Sequence, residues 1–314
     1  MLLFTAAVIG QSVPVEDQAN TVQSDEKILA DGNILDGKPS QKVISDLIAK
    51  TRANLIAFKA GEFEMGDWGP QVNEGGLPFD GPDSKPLHKV RLDAFSIGKF
   101  PVTYAEFDVF TAAIELPRIN QASFVRVYRK PTNPAGVSWQ GAHDYCQWLG
   151  TLTEQSFSLP TEAQWEYAAR SGGRRDRYPT DNGALEEGRN FPTHEQEKKA
   201  GGLVPVDSFP PNAAGVYYMS AGVRDWTNDW YDKDYYERSP SNNPKGPAGG
   251  KARVMRGHFG SASSAMTFKR WKTVPGERTG SWTKYFESGM VDRQVPYTKY
   301  SSTADTVFRC VLNE

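Results

Sequence analysis

Leu159-Pro160-Thr161-Glu162-Ala163-Gln164-Trp165-Glu166-Tyr167-Ala168-Ala169-Arg170 is the stretch on which the reading of the fold turns. Thr161 followed three residues later by Gln164 is a capping box. The threonine hydroxyl accepts from a free amide of the first turn, and the glutamine reaches back to the amide of the cap. The helix so started has an inner face of Trp165, Ala168 and Ala169, and Gly172-Gly173 stops it. Upstream, Thr103-Tyr104-Ala105-Glu106 is a second capping box, and Phe107, Phe110 and Ile114 form the buried stripe of its helix. A further helix begins near Ser138, with Ala142, Tyr145, Cys146 and Leu149 at i, i+3, i+4 and i+7.

Outward from these helices the pattern changes. Val43, Ile44, Leu47 and Ile48 fall on one face of an N-terminal helix over residues 40–54. Leu55–Phe58 and Gly61–Gly66 read as strands, residues 67–86 as a long Gly, Pro and Asp loop, and His88–Ile97 as one half-buried alternating strand. Past residue 173 regular structure thins, with short strands expected at Val204–Val206, Arg253–Arg256 and Val307–Val311. Residues 13–39 are polar and aperiodic, a flexible lead-in. Residues 1–12 resemble the end of a secretory h-region followed by small residues, although the positive n-region is missing. They are read as a signal-peptide remnant, which makes the protein periplasmic or secreted. That run is too short to span a bilayer and nothing else is apolar enough, so no membrane span is expected.

Composition narrows the function. The 314 residues carry 38% hydrophobic and 24% charged side chains, so most of the chain should fold. Eight Trp, 13 Tyr and 16 Phe beside 29 Gly and 21 Pro point to a compact, loop-rich domain rather than a bundle. A net charge of −2 gives no footprint for nucleic acid. The two cysteines, Cys146 and Cys310, are too few for a disulfide framework. They are either buried thiols or one long-range bridge. The four histidines form no HExxH and no i, i+4 pair. His143 belongs to an outer helix face and His88 to a strand.

The order of unusual words carries the identification. Phe63-Glu64-Met65-Gly66 is followed by Pro101-Val102-Thr103-Tyr104-Ala105-Glu106-Phe107, Tyr145-Cys146-Gln147-Trp148 and Leu159–Arg170. Asp225-Trp226-Thr227-Asn228-Asp229-Trp230, Arg253-Val254-Met255-Arg256-Gly257 and Phe308-Arg309-Cys310 come after them. From about residue 55 to residue 314 the series resembles the formylglycine-generating-enzyme, or sulfatase-modifying-factor, family. The resemblance implies an α+β fold of that type, a variant C-type-lectin-like fold low in regular secondary structure. It also implies a Cys146–Cys310 disulfide, since both fall in words whose cysteines pair in relatives.

The same resemblance shows what is missing. Relatives hold copper with two cysteines after the Arg-Gly word, and here Ala262 and Thr267 stand in those places. Neither is a soft ligand, so no copper is expected. The family's calcium word is altered too: Gly222 replaces its Asn and Asp225 its Glu, with Arg224 adjoining. A second family site would use Asn190 and the Phe191 carbonyl, completed from Glu195–Glu197. Calcium, through Asn190, Phe191 and Asp225, is therefore the one cofactor left open.

The individual part of the chain is 256–305. Its Arg270, Trp271, Arg278, Trp282, Tyr285 and Tyr297 are of the types that interfaces favour, and are the candidate binding residues. His258, Glu277 and Glu287 are the catalytic candidates, though no partner for them is visible in the sequence. Two functions follow. The first is an exported pseudoenzyme that binds a protein or peptide, such as an immunity or accessory protein of a secretion system, or a recognition protein. The second is a periplasmic maturation enzyme oxidising a peptide or siderophore, like the pyoverdine maturation protein of the family. A deep pocket at His258, Glu277 or Glu287 would favour the enzyme, and a flat aromatic and basic face the binder.

Overall fold

A computed structural model describes residues 37–121, 123–258, 264–275, 300 and 304–314. Helix α1 (Gln41–Ala53) starts where the Ser40 hydroxyl accepts from the Val43 amide at 3.3 Å, and it buries Leu47 against the domain. Strands β1 (Leu55–Phe58) and β2 (Gly61–Met65) follow. The alternation over His88–Ile97 is divided between two strands, β3 (His88–Leu92) and β4 (Phe95–Gly98), which belong to different sheets. The break has a local cause. Segment 241–243 takes the edge of β3, with the Arg91 amide donating to Ser241 and the Asn243 amide to Arg91. Asn243 Oδ1 then accepts from the Asp93 amide, and the chain turns away.

Both capping boxes form. Thr103 opens α2 (Tyr104–Ala113) with Glu106, and Thr161 opens α4 (Glu162–Ala169) with Gln164. Between them lie α3 (Trp139–Thr153), capped by Ser138, and β5 (Phe157–Ser158). A third box, Thr193 with Gln196, starts α5 (His194–Ala200), which the sequence reading did not contain. The remaining strands are β6 (Arg224–Trp230), β7 (Arg253–Gly257), β8 (Arg270–Thr273), β9 (Thr306–Val307) and β10 (Val311–Asn313). Val204–Val206 is not a strand. Pro205 has no amide for a ladder, and the two valines instead pack with Tyr218, Val223 and Val307.

The strands form a β2–β3 ribbon and two four-stranded sheets, ordered β1-β4-β10-β5 and β8-β7-β6-β9. The Val307–Val311 strand of the sequence reading is likewise two pieces. β9 lies parallel to β6 in one sheet, and β10 antiparallel to β4 in the other, so Phe308–Cys310 crosses between them. One core cluster packs Phe107, Phe110 and Tyr145 of α2 and α3 against Trp226, Met255 and Phe308. A second packs Trp165, Ala168 and Ala169 of α4 against Phe63, Val90, Phe95 and Ile97. Among the described residues no helix is long and apolar enough to cross a membrane.

Cys146 of α3 and Cys310 are joined by a disulfide across 164 residues of sequence. Closing so long a loop removes chain entropy from the unfolded state worth about 5 kcal/mol. Cys146→Ser, or reduction of the native protein, should therefore lower the melting temperature by roughly 10 °C. A melting curve unmoved by reductant would show that the bridge does not restrain the unfolded chain.

Candidate functional site

All eight residues of α4 are buried, including Glu162 and Glu166 one turn apart. Arg170, one turn further, is the C-cap residue and equally enclosed. Charges buried there need partners. The facing sheet supplies them through Arg256 on β7 and Arg270 on β8, which are cross-strand neighbours. Two like charges side by side would repel, but the carboxylates bridge them. Arg256 donates to Glu162 Oε1 at 2.9 Å and to Glu166 Oε2 at 2.7 Å. Arg270 grips both Glu162 oxygens, at 2.7 and 3.0 Å. Glu166 Oε1 also accepts from Arg170 at 3.0 Å and from the Gly66 amide at 2.8 Å. Burial alone would raise the Glu162 carboxyl, but Arg270 and Arg256 outweigh it and hold it below the usual range.

Asp229 stands at the edge of this lattice and accepts from the Glu162 amide at 2.8 Å. Burial, and then the nearby Glu162 charge, pushes its carboxyl up to about 8. His88 packs on Tyr236 at 4.5 Å and its Nδ1 donates to Pro86 O at 3.0 Å, with its pKa lowered by burial. A separate buried pair, Arg309 to Asp225 Oδ2 at 3.1 Å, shares that oxygen with the Trp165 indole.

The segment in which the resemblance puts the paired thiols, 258–267, follows the end of β7 at Gly257. Gly257 has φ +104°, and a Cβ there would stand 2.7 Å from Val223 O, so only glycine fits. His258 follows and is buried. Its amide donates to Val223 O and its ring meets Phe191 edge-on at 5.0 Å. Thr267 is completely buried. Its hydroxyl donates to Asp176 O at 2.8 Å and its amide to Arg177 O at 2.9 Å.

Arg270, expected on a binding face, is interior because Glu162 claims it. Trp271 is half-buried, with its indole donating to Gly257 O at 2.9 Å and Lys269 and Arg224 5.4 and 5.6 Å from its ring. Glu277, Glu287, Arg278, Trp282, Tyr285, Tyr297 and Ala262 lie outside the described residues. Among the described residues the structure thus brings His258 against Phe191 and Arg270 onto Glu162.

The calcium candidates are engaged otherwise. Asn190 Oδ1 accepts from the Glu186 amide and Phe191 O from the Gly188 amide. Arg189 of the same loop pairs with Asp181 and Glu186, supplying the loop's own cation. Asp225 faces Arg309 rather than a ring of oxygens. Its Oδ1 makes no hydrogen bond, but one carboxylate oxygen beside a guanidinium does not suit an ion that takes six or more. A Cβ on Gly222 would meet Glu197 Oε1 at 3.1 Å, so Glu197 lies where a longer residue 222 would reach. Among the described residues no three His, Cys, Asp or Glu side chains converge as a metal site.

Sequence reasoning missed Glu162, Glu166, Asp229 and Arg309. Glu162, Glu166 and Arg170 do carry a signal: acid, acid and base at i, i+4 and i+8 on a helix with no polar face to spare.

A mixed helix-and-strand scaffold, pinned by a buried acid–base lattice and carrying no thiol at Thr267, defines the class as the α+β formylglycine-generating-enzyme type. Residues 40–312 match the sulfatase-modifying factor enzyme 1-like domain, and the chain belongs to that family. It is 28% identical over 281 residues to a formylglycine-generating enzyme of Bos taurus, covering 73% of this chain and 68% of that one. It is 32% identical over 254 residues to the formylglycine-generating enzyme of Streptomyces coelicolor, covering 64% and 77%. The structure is similar to that of PvdO from Pseudomonas aeruginosa, with a TM-score of 0.62 and 23% identity over 83% of this chain and 94% of that one. At that identity the likeness is one of fold.

Removing one partner from a buried pair costs about 3–5 kcal/mol. Arg256→Met should lower stability by that amount in urea unfolding, and a loss under 1 kcal/mol would mean that Arg270 and Arg170 suffice alone. Asp229 has a folded pKa raised above its unfolded value, so its contribution is fully favourable only in acid and declines as pH rises toward 8. Asp229→Asn should flatten the fall in urea midpoint between about pH 5 and pH 9. An unchanged slope would assign that fall to other groups.

Proposed function

We propose that this chain is an exported binding protein on a formylglycine-generating-enzyme scaffold, recognising a protein or peptide and performing no copper–thiol chemistry. The observation that carries the reading is Thr267. It occupies a thiol position by resemblance, yet it is a hard hydroxyl, completely buried and already bonded to Asp176 O. The ionisable groups beneath it neutralise one another. Glu162 and Glu166 are each held by two guanidiniums, so neither of these two carboxylates is free to move a proton. No copper enters this reading, and no calcium is resident in the 181–191 loop.

In this reading the recognition face is centred on β8. Trp271 and Tyr231 are half-buried rings, and Lys272 stands 4.7 Å from the Tyr231 ring with no carboxylate partner among the described residues, whereas Lys269 pairs with Asp80, Arg224 with Asp305 and Arg270 with Glu162. Half-buried aromatics beside cations suit a partner that offers acidic and apolar side chains together.

Capture from the native cell envelope, followed by reconstitution with the purified partner, tests this. A stoichiometric complex is expected, weakened at least tenfold by Trp271→Ala when binding is measured well below that variant's own melting temperature, which the lost packing lowers. Lys272→Glu should slow association, most at low salt. Stoichiometric cuprous ion on the purified protein with aldehyde formed on a cysteine peptide, or turnover of a peptide or siderophore to an oxidised product, would replace the binder with an enzyme.

A further inference from the structure

A cavity of about 470 Å³ opens between α1, the start of α2 and α3, on residues distinct from those of the β8 face. Its size is that of a small-molecule site. Tyr145, Leu149 and Cys310 line it from the core, and Val102 and Val206 add apolar wall.

Tyr145 is the unusual member. It is 2% exposed, and its ring is fixed among Phe107, Phe110 and Phe308 at 5.9, 5.6 and 5.4 Å. Burial, with a smaller push from Glu106, drives the phenol well above its ordinary value, so it remains a protonated donor. Among the described residues its hydroxyl has no hydrogen-bond partner. A buried tyrosine hydroxyl ordinarily finds one, and the cavity that Tyr145 lines is where a partner would come from.

The rim supplies charge unevenly. Glu106 is fully engaged: Oε2 takes the Thr103 amide and hydroxyl, both at 2.7 Å, and Oε1 takes Lys50 at 3.0 Å. Asp207 is exposed and screened by water. Lys99, by contrast, rests on the Phe100 and Tyr217 rings at 5.2 and 5.1 Å and has no carboxylate among the described residues.

We infer that this cavity binds a small amphiphilic carboxylate with an apolar body and one hydrogen-bond acceptor within it. The body lies on Val102, Leu149 and Val206, the acceptor takes the Tyr145 hydroxyl, and the carboxylate meets Lys99. The site is independent of the partner face at β8 and of whether that face functions.

Dansylglycine has this composition, and dansylamide lacks the carboxylate. Titrated into the wild-type protein, dansylglycine should give saturable, blue-shifted emission with one site, at least tenfold tighter than dansylamide. Lys99→Ala should erase that preference. Tyr145→Phe should weaken both probes at least threefold while leaving the melting temperature in place. Thr132→Trp, an exposed change at the rim, should abolish binding without unfolding. Absent saturation, equal affinity for the two probes, or a Thr132→Trp protein that binds like wild type would each overturn the assignment.

Discussion

Two carboxylates and three guanidiniums sealed between α4 and the β7–β8 hairpin set the terms for the rest of the molecule. Ions taken from water at that depth are tolerated only when every partner is in place, so the lattice allows one mutual position of helix and sheet. It also reaches the ribbon, because Glu166 accepts from the Gly66 amide and Arg170 donates to Glu64 O at 2.6 Å. Helix, sheet and ribbon are therefore placed by polar geometry, and the apolar clusters fill the space between them.

That arrangement explains how a chain with so much irregular backbone keeps a fixed shape. The crossing segment Phe308–Cys310 contributes a second buried pair, Arg309 with Asp225, in which Arg309 also donates to Tyr217 O at 3.1 Å and Gly98 O at 3.3 Å. Long loops anchored at such points can vary without moving the sheets. Thr267 O accepts from Arg256 and so the backbone at this position is part of the same lattice.

Much of the fold could be read from the sequence because its signals are local. Thr103 with Glu106 and Thr161 with Gln164 announce helix starts within four residues, and both form. Strands were harder. His88–Ile97 reads as one alternating strand although its apolar positions change phase at Ala94-Phe95, and a contact with Asn243, 150 residues away, holds the break just before that point. Val204–Val206 has the apolar content of a strand but lacks the Pro205 amide. The site was legible only in part for the same reason. Family words located Thr267 and the two cysteines, whereas Arg270 looked like a surface cation until Glu162 was seen to enclose it. Glu162 and Glu166 stand in the Leu159–Arg170 word without any sign in the sequence of what they face. Their role depends on which strands lie opposite, and no periodicity encodes that.

The single bridge between Cys146 and Cys310 bears on biosynthesis. With two cysteines in this chain there is one way to pair them internally. An oxidase alone can install the bond, and a shuffling enzyme has no wrong isomer to proofread. The competing product is a covalent dimer, so crowding at the moment of oxidation, rather than pairing choice, governs the yield of correctly made protein.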